Sequence, residues 1–165
     1  MENCSVAVIG SFRQHNSQVQ LACGALRSAG FVVTSPQGGE ITKEGIPFVR
    51  FTSDSADWSD PEIQSLALHR IFRADLVYVV APNGYLGRTT CYEVGRVVQL
   101  GKPIYFSAQP NDLPLLVPND YIMDIDDLIK NLTTPAWQPT WLFQNYHEMV
   151  GVLERQLLDG KLRHD

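Results

Sequence analysis

A chain of 165 residues, 44% of them hydrophobic, suffices for one domain over residues 1–165 with a sizeable buried core. A formal charge of −5 excludes the concentrated basic face that gripping a nucleic-acid backbone requires, and no apolar run approaches the ~20 residues of a membrane span. Cys4, Cys23 and Cys91 are odd in number and widely spaced, which argues against a disulfide framework or a zinc site. Reduced thiols, with an N-terminal sequence that enters a strand without a basic leader or cleavage site, give the expectation of a cytoplasmic protein.

In chain order, Val6-Ala-Val-Ile9 reads as a short buried strand, left through the turn Gly10-Ser-Phe-Arg-Gln-His15. Ser17 to Gln20 has a capping-box pattern and opens a helix whose apolar stripe, Val19, Ala22, Cys23 and Leu26, ends at Gly30. Phe31 to Thr34 is a second strand, and such a β-α-β start favours a parallel sheet. The stretch from Ser35 to Ser59 is long for a structureless connection, so a lid or substrate loop is expected there, with a short edge strand at Phe48 to Thr52. Asp60 as N-cap, followed by Pro61, opens a helix running through Ala74.

The β-branched run Leu76 to Ala81, stopped by Pro82, Asn83 and Gly84, is the central strand. Val94, Val97 and Val98 mark one face of the following helix, closed by Gly101 and Pro103, and Glu93 falls in its first turn. A strand at Pro103 to Ser107, a weaker one around Tyr121 to Met123, a short helix from Asp126 to Leu132 and a last helix from about Trp141 to Leu158 complete the chain. The expected fold is α/β: a three-layer α/β/α sandwich with a five-stranded parallel sheet, flavodoxin- or Rossmann-like, in strand order 2-1-3-4-5.

Ligands of such sheets bind beyond the carboxyl ends of the strands, which is where Glu93 is expected. Thr90-Cys-Tyr-Glu93 also fits a capping box contributing roughly 1 kcal/mol, so spacing alone leaves a cap and a catalytic carboxylate both open. The turn from Gly10 to His15 suits an anion: glycine admits close backbone approach, the following helix supplies free amides, and Arg13 adds a fork of donors. A solvated turn is the alternative for Arg13 and His15. Gly84, Gly87, Thr89 and Thr90 form a second anion-capable turn. Phe12, Trp58, Tyr85 and Tyr92 are candidates for stacking a base, or else core aromatics. Cys91 reads as a small packing residue, because no histidine is placed to activate it.

The segment from Asp75 to Ile104 carries the strand, Gly87-Arg-Thr-Thr90, Tyr92-Glu-Val-Gly95 and Gly101-Lys-Pro-Ile104, and it resembles the signature of the nucleoside 2-deoxyribosyltransferase-like superfamily. That superfamily includes nucleoside 5-monophosphate N-hydrolases, whose Gly-Ser-hydrophobic-Arg turn Gly10-Ser-Phe-Arg13 also resembles. The resemblance implies that Glu93 is a nucleophile at the anomeric carbon. It further implies a substrate site drawn from Gly10, Ser11, Phe12, Arg13, His15, Asn83, Gly87, Thr89, Thr90 and Tyr92. Two acidic positions of the superfamily are absent: Asn83 and Arg88 stand near the first, and Ala67 stands at the second with His69 close by. Asp57, Asp60 and His69 are therefore the candidates for a partner of the leaving base.

The expected function is cleavage of the base–sugar bond of a nucleoside 5-monophosphate. The alternatives are a nucleoside 2-deoxyribosyltransferase and a non-catalytic nucleotide-binding sensor or scaffold. A phosphoribohydrolase of the cytokinin-activating type is disfavoured, because its Pro-Gly-Gly-x-Gly-Thr turn is missing. The expected partner is a small-molecule nucleotide or nucleoside, with no nucleic acid and no membrane, and the resemblance implies a homodimer or larger homo-oligomer. No cofactor is expected, and no metal, since His15, His69, His147 and His164 show no ligand spacing.

Overall fold

A computed structural model of the chain describes residues 4–42 and 49–161. Its centre is a parallel sheet of β1 (Ser5–Gly10), β2 (Val32–Ser35), β3 (Leu76–Val80) and β4 (Ile104–Phe106), in the order β2-β1-β3-β4. β1 and β3 run in register from Val6 opposite Leu76 to Gly10 opposite Val80. Both are buried almost end to end, as a strand covered on two faces must be, which explains why each reads as an unbroken apolar run.

The helices are α1 (Phe12–Ser28), α2 (Asp60–Arg73), α3 (Arg88–Gln99), α4 (Ile125–Thr133) and α5 (Met149–Asp159). α1 packs with α4, and α2 with α3. Right-handed crossovers from this strand order put α1 on one face of the sheet and α2 and α3 on the other. The stripe Val19, Ala22, Cys23 and Leu26 is buried as its spacing requires.

Several expectations are corrected. The sheet has four strands among the described residues, not five, because around Tyr121 to Met123 only Ile122 bridges to Phe106. A 3-10 turn over Asn119–Tyr121 precedes that bridge and the α4 N-cap, Asp124, follows it, so no length is left for a strand. α1 starts at Phe12 rather than Ser17, although His15 kinks it at φ −132° and ψ 29°. α2 is capped by Ser59 rather than Asp60, with the Glu62 carboxylate accepting from the Ser59 backbone N–H at 2.7 Å and from its hydroxyl at 2.6 Å.

The last helix begins at Met149, not Trp141. Trp141, Leu142 and Phe143 instead enter the core as a non-helical plug, and the Trp141 indole N–H donates to the Val98 carbonyl at 2.9 Å. The expected edge strand at Phe48 to Thr52 reduces to a bridge between Ile41 and Phe51, and Phe48 lies outside the described residues.

Candidate active site

The strand order reverses between β1 and β3, so the turns that leave their carboxyl ends diverge and open a cleft. A cavity of about 380 Å³ occupies that position, within the size range of small-molecule sites. Its floor is Ile9 and Gly10. The start of α1, the loop after β2, one face of α2 and the start of α3 form its walls. At Gly10 a side chain has no room: a Cβ there would lie 2.9 Å from the Val80 carbonyl and 3.0 Å from the Val19 side chain. The two turns also meet, with a Cβ on Gly87 3.4 Å from the Ser11 hydroxyl.

Neither α1 nor α3 has a side-chain hydrogen bond at its N-cap, Ser11 and Gly87 respectively. The first turns of both border one cavity, where the free amides and the positive dipole end of α3 suit an anion. Arg13 at the start of α1 and Arg88 at the start of α3 line the same cavity.

Glu93 lies in the second turn of α3, not the first, because the helix begins at Arg88. It shares a helix face with Thr90 and Val97, three residues before and four after, and that face packs inward. The side chain is 5% exposed and lines the cavity. Its Oε1 accepts from Gln64 Nε2 of α2 at 2.9 Å. Burial pushes the carboxyl up from 4.5 to about 7, and the Gln64 hydrogen bond partly opposes this. With Gly87 as N-cap, Thr90 and Glu93 do not form the capping box their spacing allows.

Of the residues singled out from sequence, the fold brings Gly10, Ser11, Phe12, Arg13, Gly87, Thr89, Thr90 and Glu93 together around the cavity, with Tyr85 beside them. It puts others outside. His15 packs edge-on to Tyr85, with ring centroids 5.7 Å apart. Asn83 adopts φ 55° in a 3-10 turn, and its carbonyl accepts from Asn111. Tyr92 is 49% exposed, and its hydroxyl accepts from Arg96 at 2.7 Å. Asp57, Asp60 and His69 are exposed and away from the cavity lining. Asp60 is held by Arg50, and His69 lies in a separate groove with Trp58, Pro61 and Leu66.

Residues not singled out as site members line the cavity as well: Gln64 and Arg70 on α2, Arg88, and Asp54, whose Oδ2 accepts from the Phe51 amide at 2.8 Å. Gln64 left a faint signal in the sequence, a polar residue next to buried Ile63 on the inward face of an amphipathic helix. Among the described residues no group of histidine, cysteine, aspartate or glutamate side chains could hold a metal ion, and no helix is long and apolar enough to cross a membrane.

Comparison with protein-family models gives no match, and no curated protein matches the chain. A solved structure of a 2-deoxyribosyltransferase from the psychrotolerant bacterium Bacillus psychrosaccharolyticus is similar, with a TM-score of 0.51 and 20% sequence identity. The similarity covers 76% of this chain and 90% of that one. At that identity the likeness establishes the architecture: a parallel sheet between helical layers, in the Rossmann-like manner of the deoxyribosyltransferase structure.

Proposed function

We propose that this protein is an N-glycosidase that cleaves the base–sugar bond of a nucleoside 5-monophosphate, with Glu93 as nucleophile. The observation that carries the proposal is a buried carboxylate, 5% exposed, lining a cavity that two uncapped helix N-termini and Arg13 also border. Breaking an N-glycosidic bond builds positive charge on the sugar, and a desolvated carboxylate beside C1 stabilises that charge and traps it as an ester. A Glu93 oxygen bonds to C1 as the C1–N bond breaks, and the electron pair leaves with the base, which takes up a proton. Water then adds to C1 and releases a proton, which balances the one taken up by the base, as the ester C–O bond breaks and the carboxylate returns.

Arg13, Ser11 and the Gly87 to Thr90 turn hold the phosphate and sugar oxygens in this scheme. Asp54 is the second carboxylate lining the cavity and takes the place of Asp57, Asp60 and His69 as the group facing the leaving base. The proposal includes a cytoplasmic location and a homo-oligomeric state. Deoxyribose transfer to a second base is the competing outcome, favoured by the likeness to a 2-deoxyribosyltransferase structure.

Incubation with paired nucleosides and nucleoside monophosphates, with detection of free base, tests the scheme. A phosphate clamp at Arg13 supplies binding energy remote from the reacting carbon, so monophosphates are expected to react faster as well as bind tighter. Arg13→Ala is expected to lower kcat/KM for the monophosphate by an equivalent of about 1.5–3 kcal/mol, the scale of a charged hydrogen bond, and to leave the nucleoside reaction nearly unchanged. Equal turnover of nucleoside and monophosphate by the unmodified protein rules out the clamp. Formation of a new nucleoside when a second base is added identifies a transferase.

A further inference from the structure

Resting on the glycosidase proposal, we infer that Gln64 is a positioning residue that grips one oxygen of the Glu93 carboxylate from across the α2–α3 interface and leaves the other turned to the cavity. Gln64 Nε2 lies 2.9 Å from Glu93 Oε1, and the two residues are 29 positions apart in the chain. Among the described residues no other side-chain hydrogen bond reaches Glu93. An ionised carboxylate offers about four acceptor sites, so the substrate side of Glu93 stays open. The terminal torsion of a glutamate is broad, and without a tether the carboxylate rotates away from a line of attack.

The chemistry of the tether matters. An amide fixes geometry without a charge, whereas an arginine or lysine in its place would neutralise the carboxylate and weaken it as a nucleophile. The ionisable groups that share the cavity are Arg13 on α1, Asp54 in the loop after β2, Arg70 on α2, Tyr85 in the turn before α3 and Arg88 at the start of α3. Of the interactions that act on the Glu93 carboxyl, the Gln64 hydrogen bond is the one that opposes burial.

The test is base release from a nucleoside monophosphate by Gln64 variants beside Glu93→Gln, followed from about pH 5 to about pH 9. Gln64→Met keeps the length of the side chain and removes the donor. It is expected to lower kcat by at least about tenfold with KM changed less than about threefold, because the carboxylate is misaligned rather than the substrate lost. The acid limb of the rate is expected to move to higher pH, since the bond that favours ionisation is gone. Gln64→Asn retracts the amide by one methylene and is expected to act in the same direction, which keeps the test readable if the methionine variant does not fold. Wild-type kcat and an unmoved acid limb in folded Gln64→Met or Gln64→Asn, alongside an inactive Glu93→Gln, would overturn the role of Gln64 and leave the nucleophile standing. Full activity in Glu93→Gln would overturn both.

Discussion

Burial of Glu93 ties its reactivity to the stability of the fold. Its carboxyl titrates at about 7 in the folded chain against an ordinary value of 4.5, so between those values the folded state holds a proton that the unfolded state releases. The contribution of Glu93 to stability is therefore most favourable below the ordinary value, falls as the pH rises toward 7 and levels off above it. Glu93→Gln removes this penalty. The variant is expected to lose base release and to gain up to about 3 kcal/mol of stability at about pH 8 relative to the unmodified protein, with a much smaller gain at about pH 5. Denaturant titrations at the two pH values read the difference. A pH-independent loss of about 1 kcal/mol is what a helix cap would give instead.

At the scale of elements, the site depends on how closely β1, β3 and α1 approach at Gly10. A methyl there meets the Val80 carbonyl at 2.9 Å and Val19 at 3.0 Å, and both belong to packed elements. Gly10→Ala is expected to cost about 1–3 kcal/mol by overpacking and to raise KM, because Ser11 and Arg13 ride on the same turn. Denaturation midpoints and substrate saturation curves measure the two effects, and an unchanged KM would separate the turn from binding. The limits of sequence patterns show in the same elements. The stripe of α1 was legible because 3.6-residue periodicity reports a buried face, but the start of the helix at Phe12 was not, since the capping-box spacing of Ser17 and Gln20 offered a competing start just past the kink at His15. Trp141 to Phe143 carried apolar spacing that fits a helix and became a core plug, held where the Trp141 indole N–H reaches the Val98 carbonyl near the end of α3, which also accepts from the Gly101 N–H.

At the scale of the whole molecule, the described parts of the long connection after β2, residues 36–42 and 49–59, are folded against both helical layers. Arg50 donates through Nε to Asp60 at 2.9 Å and through Nη2 to the Trp58 carbonyl at 2.8 Å, while Phe51 packs edge-on to Phe12 with centroids 5.0 Å apart. Asn16 of α1 donates to the Gly39 carbonyl at 3.2 Å. Phe51 and Asp54 thus reach the cavity wall from a segment anchored to α1 and α2. Arg50→Met is expected to raise KM several-fold with a smaller effect on kcat. Its cost in stability should be at most about 1 kcal/mol, since the ion pair is half exposed. Initial-rate kinetics beside a thermal melt distinguish a loosened wall from a destabilised fold.

The sequence alone determined the α/β class, the two central strands, the inward stripe of α1 and the placing of Glu93 at the mouth of the sheet, because each follows from local periodicity and turn chemistry. Tertiary structure decided which neighbours each side chain meets. Tyr92, adjacent to Glu93 in the chain, points about 100° away around the helix and is exposed, and His69 turns outward while Gln64 of the same helix turns inward. The pairing of Gln64 with Glu93 and the arrival of Asp54 at the cavity were hidden for a physical reason. A sequence pattern shows which face of an element is buried, whereas contacts between residues far apart in the chain arise only when the layers pack.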